Sequence, residues 1–205
     1  MKLIVPQWEI LHTIPGVKIL KQIEQIARTS TRSCEEITED SYTKLIPHLL
    51  SKGHYTPFEF FTITVRFTAS RGVLDEIRTH RSGSYVMEST RYCNYSKKRY
   101  NKEISFCIPE WVDMDSTIWL SSMEQAEKNY FALLDVGWKA EQARGVLPLD
   151  IASTMTTCYN LRQWREFFKL RTAKATHSEL RRLSIPLLEV FKMEIPYVFD
   201  DINNN

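Results

Sequence analysis

The densest chemical run in this 205-residue sequence is Glu76-Ile77-Arg78-Thr79-His80-Arg81, followed by Ser84 and then Glu88-Ser89-Thr90-Arg91-Tyr92. Three arginines, a histidine and several hydroxyls fall within seventeen residues. Guanidinium groups fork onto phosphate oxygens, while hydroxyl and imidazole groups hydrogen-bond the edges of a heterocycle, so the set suits a nucleotide-like ligand. A solvated basic helix end followed by a polar loop is the competing reading, and the spacing alone leaves both open.

The elements that must position this run are legible from hydrophobic periodicity. Phe61, Ile63, Val65 and Phe67 alternate with Thr62, Thr64, Arg66 and Thr68, the pattern of a strand with one buried face. Ser70 is placed to cap a helix from Arg71 to about Arg81, with Leu74 and Ile77 inward and Glu76 and His80 together on another face. Upstream, Val17, Leu20, Ile23 and Ala27 mark an amphipathic helix over Gly16 to Thr31, and a second covers Ser41 to Ser51, with Pro47 inside it and Gly53 as its left-handed stop. Downstream come a strand at Ile104 to Ile108 and a long helix from Ser116 to about Gln142. The last third reads as extended or irregular chain from Leu149 to Tyr159, then a helix from Asn160 to about Ala173, then a terminal helix after Ser184 with Pro186 in its first turn. Asn203 to Asn205 read as a frayed tail. With neither repeats nor a linker, one α+β domain over residues 1–205 is the expectation.

Composition narrows the function classes. With 43% hydrophobic and 25% charged residues, the chain is of ordinary globular type. A net charge of +2 gives no protein-wide field to gather nucleic acid, so no stable nucleic-acid partner is expected, although arginines concentrate at Arg66 to Arg99 and Arg162 to Arg182. Cys34, Cys93, Cys107 and Cys158 lack the close pairs of a zinc site and the density of a disulfide scaffold, and read as reduced thiols in the cytosol. No metal site is expected. Met1 to Val17 has no apolar signal core, and no apolar run approaches a membrane span, so a cytoplasmic location is the expectation.

Five blocks in order make the sequence resemble the flavin-dependent thymidylate synthases. The family signature is Arg-His-Arg, seven residues, then Ser, against which stand Thr79-His80-Arg81, Ser82 to Glu88, and Ser89. Gly53-His54-Tyr55-Thr56-Pro57-Phe58-Glu59 resembles the family's Gly-His-x-Thr-Pro-Phe-Glu element, and Glu88 to Tyr95 the run after the signature. Ala143-Arg144-Gly145-Val146-Leu147-Pro148 agrees too, as does Asn160-Leu161-Arg162 with Phe168-Lys169-Leu170-Arg171.

The resemblance implies a mostly antiparallel sheet flanked by helices, and a homotetramer with active sites shared between subunits. The implied reaction is reductive methylation of dUMP to dTMP, with methylenetetrahydrofolate as carbon donor and FADH2, reduced by NADPH, as hydride donor. Matching positions assign FAD contacts to His54, Thr56, Arg78, His80, Arg81, Asn160 and Arg162, and dUMP contacts to Glu76, Glu88, Ser89, Thr90, Arg91, Arg144 and Arg171. Arg91 and Arg144 would hold phosphate. Arg171 would activate the uracil, because C5 becomes nucleophilic when negative charge gathers on N3 and O4 beside a fixed guanidinium. Ser89 has no His or Lys adjacent in sequence to act as its base, so it reads as a hydrogen-bond donor. None of the four cysteines is given a catalytic role, and Trp164, Phe167 and Phe168 read as core.

The sequence also departs from the family. Thr79 replaces the first signature arginine, and Arg78 lies one helix step, about 100°, away from that direction. Val86-Met87, Phe60 and Ala175 stand where relatives carry more polar residues. Two other readings follow: a relative methylating or hydroxymethylating another pyrimidine deoxynucleotide, or a non-catalytic nucleotide- or RNA-binding paralogue.

Overall fold

The computed structural model of the chain describes residues 1–12, 14–113 and 116–203. Asn204 and Asn205 of the expected tail lie outside the described residues. Two compact units form: Met1–Glu9, Arg66–Thr79 and Tyr85–Thr156 make the first, and Ile10–Val65, His80–Ser84 and Thr157–Asn205 the second. Among the described residues, no helix is long and apolar enough to cross a membrane.

Four strands pair in the order β2 (Gln7–Ile10), β3 (Thr62–Ser70), β6 (Ala152–Asn160) and β4 (Ser84–Met87). β3 and β6 run antiparallel, since Leu161 N–H donates to the Phe61 carbonyl and Arg71 N–H to the Ile151 carbonyl, each at 3.0 Å. Of the extended or irregular chain expected over Leu149 to Tyr159, most is the extended strand β6. Its buried set is Ser153, Met155, Thr157 and Tyr159, so half of the inward residues are polar and no apolar alternation shows in the sequence. β2 and β4, each of four residues, were not expected.

In the first unit β1 (Lys2–Ile4) pairs in parallel with β5 (Ser105–Cys107). Behind them Ile104, Phe106, Met123, Tyr130 and Ile151 are buried as one core. α3 (Arg71–Arg78) starts on Ser70, whose Oγ accepts from Val73 N–H at 3.3 Å. It stops three residues before the expected Arg81, because Thr79 caps it, so His80 shares no helix face with Glu76. The expected helix from Ser116 to Gln142 is two, α4 (Thr117–Asp135) and α5 (Ala140–Ala143). The break is a Schellman closure: Gly137 has φ of 94°, its N–H donates to Leu134, and Trp138 N–H donates to Leu133.

The second unit holds α1 (Gly16–Thr29), α2 (Tyr42–Ser51), α6 (Leu161–Arg171) and α7 (Ser178–Glu194). Its core is aromatic: Trp164, Phe167, Phe168, Phe191 and Phe199 are fully buried, and the Trp164 indole N–H donates to the Ile63 carbonyl at 3.0 Å. α7 begins at Ser178, before the expected start, and runs through Pro186. Five buried residues, Leu180, Leu183, Leu187, Leu188 and Phe191, hold one face of it down across the residue that lacks an N–H.

Within this unit the loop His80–Ser84 lies so close to β6 that a Cβ on Gly83 would sit 1.9 Å from Cε1 of the buried Tyr159 ring. Gly83→Ala must displace the loop or the ring. It is expected to cost about 1–3 kcal/mol, read as a lowered urea midpoint, and an unchanged midpoint would show the packing to be looser than described.

Candidate functional site

α6 is built to present three side chains to the loop. Asn160 caps it: its Oδ1 accepts from Gln163 N–H, and Gln163 Oε1 accepts from Asn160 N–H, both at 2.9 Å. Gln163, Phe167 and Arg171 then recur at four-residue steps along one face. Gln163 Nε2 donates to the Ser82 carbonyl at 2.8 Å. Phe167 packs on the His80 ring at 5.1 Å between centroids, with Tyr159 at 6.2 Å. At the end of the face Arg171 Nε donates to His80 Nε2 at 2.9 Å. Accepting there requires a neutral imidazole, and burial together with the Arg171 charge lowers the His80 pKa from 6.5 to about 4.

The same unit contains a groove of about 820 Å3. α2 ends in a Schellman closure at Gly53, φ 71°, with Gly53 N–H donating to Leu50 and His54 N–H to Leu49. That closure delivers His54 and the 3-10 turn Thr56–Phe60 to the groove wall. Ile26, Leu49, Pro57 and Phe60 supply apolar surface, and Thr56, His54 and Arg162 supply polar groups. Arg162 is steered by Glu59 at 2.6 Å and lies over the Tyr55 ring at 5.7 Å. An apolar trough with a cation and a hydroxyl on its rim matches a ligand that joins a heterocycle to phosphate.

In the first unit two arginines meet partners distant in sequence, one in a loop and one on α5. Arg144 Nη1 donates to Thr90 Oγ1 at 3.1 Å, and Arg91 Nε donates to Glu141 at 3.1 Å. Ser89 opens the tight turn between them, its carbonyl accepting from Tyr92 and Cys93 N–H. Glu88 accepts from the Tyr95 hydroxyl at 3.3 Å, and burial, reinforced by Glu88, raises that phenol's pKa, so it stays a proton donor. Glu88 also lines a polar cleft of about 300 Å3 with Lys2 and Arg99.

The sequence-predicted residues thus gather in three places. His80 and Arg171 touch, His54, Thr56 and Arg162 share the groove, and Thr90 and Arg144 bond beside Ser89 and Arg91. Arg81 is exposed one residue past His80, and Glu76 is half-buried on α3. Arg78 is exposed and pairs with Asp75 of its own helix at 3.2 Å. Sequence reasoning gave no role to Tyr55, Glu59, Glu141 or Gln163. Only Gln163 carried a local signal, its place three residues after a capping Asn.

A family model described as thymidylate synthase complementing protein matches residues 17–197. The flavin-dependent thymidylate synthase of Pyrococcus abyssi is 32% identical over 164 residues, covering 78% of this chain and 66% of that protein, so the chain spans just under two thirds of that relative. The Synechocystis enzyme of the same name is 27% identical over 188 residues, 86% of each chain. In fold, the chain is similar to a UMP/dUMP methylase, PolB from Streptomyces cacaoi, solved with 5-Br dUMP. The TM-score is 0.81 at 22% identity, covering 98% of this chain and 96% of that one.

The His80 shift has a sign that can be tested. Its folded value of about 4 lies below the ordinary 6.5, so an unfolded chain takes up a proton that the folded chain refuses. The contribution of a neutral His80 is therefore complete above the ordinary value and is lost as pH falls toward the folded one. In urea titrations at about pH 7 and about pH 5, the wild type should lose more stability than His80→Gln, which has nothing to titrate. Equal losses would count against a buried neutral imidazole.

Proposed function

Since the chain belongs to the thymidylate synthase complementing protein family, that of the flavin-dependent thymidylate synthases, we propose that it reductively methylates dUMP to dTMP. The observation that carries the reading is the groove of the second unit. Three residues assigned to flavin from two separate motifs, His54, Thr56 and Arg162, line one cavity with apolar Ile26, Ala27, Leu49, Pro57 and Phe60. This donor set fits FAD: the Arg162 guanidinium and Thr56 hydroxyl suit pyrophosphate oxygens, and Phe60, Pro57 and Leu49 suit a ring system. Asn160, Arg78 and Arg81 complete the proposed cofactor set, and His80, which the sequence assigns to it, is turned to Arg171. When bound, FAD supplies the reducing hydride, with NADPH as its reductant and methylenetetrahydrofolate as the carbon source.

The chain's own residues bind and polarise the nucleotide. Arg91 and Arg144 neutralise the phosphate, and Ser89 and Thr90 donate hydroxyl hydrogen bonds beside it. Glu76 and Glu88 accept from ribose or base. Arg171 places a permanent positive charge against N3 and O4, where negative charge accumulates as C5 attacks the one-carbon unit, and so lowers that barrier. No thiolate addition to the ring is required of the cysteines, which lie scattered along the chain. A homotetramer sharing its sites between subunits belongs to the same proposal.

One departure favours a second substrate. Val86 is 77% exposed on β4, an apolar side chain two residues before Glu88, at a position where the family resemblance implies a polar residue. UMP and dCMP therefore belong beside dUMP in the assay.

The test is the visible absorption spectrum of the purified protein titrated with FAD, with and without nucleotide. Flavin bands that shift on adding dUMP, and dTMP formed with folate and NADPH, are expected. Arg171→Ala should cut turnover by about 10²–10³ while leaving flavin uptake intact. Absence of flavin uptake under every condition would overturn the proposal in favour of a non-catalytic nucleotide-binding protein.

A further inference from the structure

We propose that His80 is a positioning residue for Arg171, holding the guanidinium plane that activates the pyrimidine ring. This inference rests on the function proposed above. The sequence places His80 among the flavin contacts, but its Nε2 accepts the Nε–H of Arg171 at 2.9 Å. Nε is the hinge of an arginine side chain. A hydrogen bond there lies in the guanidinium plane, fixes the last side-chain rotation, and leaves the terminal nitrogens of the fork directed past the bond.

The imidazole can act as an anchor because it is itself held on several sides. Phe167, one turn earlier on α6, packs against it in a tilted arrangement at 5.1 Å, and Tyr159 flanks it at 6.2 Å. The backbone after it is fixed by the Gln163 hydrogen bond to the Ser82 carbonyl and by the seat of Gly83 on the Tyr159 ring. The helix that carries Arg171 therefore also carries, at four-residue steps, the side chains that place Arg171's partner. Any shift of the loop relative to the last turn of α6 changes the direction of the guanidinium. Arg171 also sits at the C-terminal end of α6, where the helix dipole favours its charge, so His80 is needed to aim the group and not to keep it charged.

Glutamine and asparagine separate aiming from flavin contact. An amide at the end of a glutamine side chain reaches about as far as Nε2 and offers an oxygen acceptor there, whereas asparagine falls short. With FAD and dUMP saturating, His80→Asn should lower kcat about tenfold or more with KM for dUMP and flavin affinity within about twofold, and His80→Gln should recover most of the loss. In the nucleotide-free protein, the nitrogen-15 NMR signal of the Arg171 Nε–H, identified by its absence in Arg171→Lys, should be protected from exchange in the wild type and His80→Gln and unprotected in His80→Asn. A His80→Asn protein that binds flavin poorly yet turns over normally at saturation overturns the inference, as does an Arg171 signal indifferent to both substitutions. If the wild type neither binds flavin nor forms dTMP, the functional reading fails on its own. The NMR comparison then still decides whether His80 orders Arg171.

Discussion

The hydrogen bond from Gln163 to the Ser82 carbonyl joins the start of α6 to the loop within the signature, and the arrangement of that loop against the helix depends on it. Gln163 does two jobs at once, because its Oε1 closes the capping box with Asn160 while its Nε2 grips the loop. The residue that starts the helix therefore also fixes the loop's distance from it. Once that distance is set, helical geometry dictates that Phe167 meets the His80 ring and Arg171 meets its Nε2. Gly83 is what allows the approach, since any side chain there would occupy the space of Tyr159.

Charge is handled in two distinct ways. Glu24 is fully buried and both its oxygens are used, accepting from Arg28 Nε and Ser41 Oγ at 2.8 Å each. Arg165 is 3% exposed and reaches Asp201 through two bonds of 2.6 and 2.7 Å, as well as the Val198 carbonyl. That arginine lowers the Asp201 pKa, so the chain after α7 stays tied to α6 at neutral pH. Removing one member of such a pair strands a charge in a dry site at a cost of about 3–5 kcal/mol, less here to the extent that Asp201 is reached by water. Arg91 and Arg162 differ, being 58% and 44% exposed, with Arg91 paired to Glu141 and Arg162 to Glu59 and Glu166. Exposed pairs are worth about 0–1 kcal/mol, so an incoming phosphate can redirect these guanidinia at little expense. Buried, doubly satisfied charges hold the frame, and exposed, lightly held ones are left available for a ligand.

How far the sequence could be read follows from the same physics. β3 was legible because its inward residues Ile63, Val65 and Phe67 are all apolar. Its neighbour β6 was not, because Ser153 and Thr157 take inward positions. The two Schellman closures share a Gly, yet only Gly53 was read as a stop. Prolines misled at the terminal helix, where buried leucines outweigh one missing N–H. Site residues were legible as types within motifs. What no pattern carried was who touches whom: that Arg171 answers to His80, ninety-one residues earlier, or that Glu141 meets Arg91 across fifty. Such partners are fixed by the packing of whole elements, which leaves no local trace.

Thr79 shows how a departure from the family pattern can serve the fold. α3 ends there, with the Thr79 hydroxyl donating to the Glu76 carbonyl at 2.7 Å, one of the carbonyls that a helix C-terminus leaves without a partner. Arginine at this position offers no short hydroxyl for that bond, and its long side chain would be directed to solvent or to a ligand. A threonine exchanges a cation for a local cap, and the chain leaves the helix with His80 as the first residue beyond it. Arg78, the preceding residue, pairs with Asp75 of its own helix at 3.2 Å. The signature keeps the histidine that anchors Arg171 and gives up the arginine whose place the helix end has claimed.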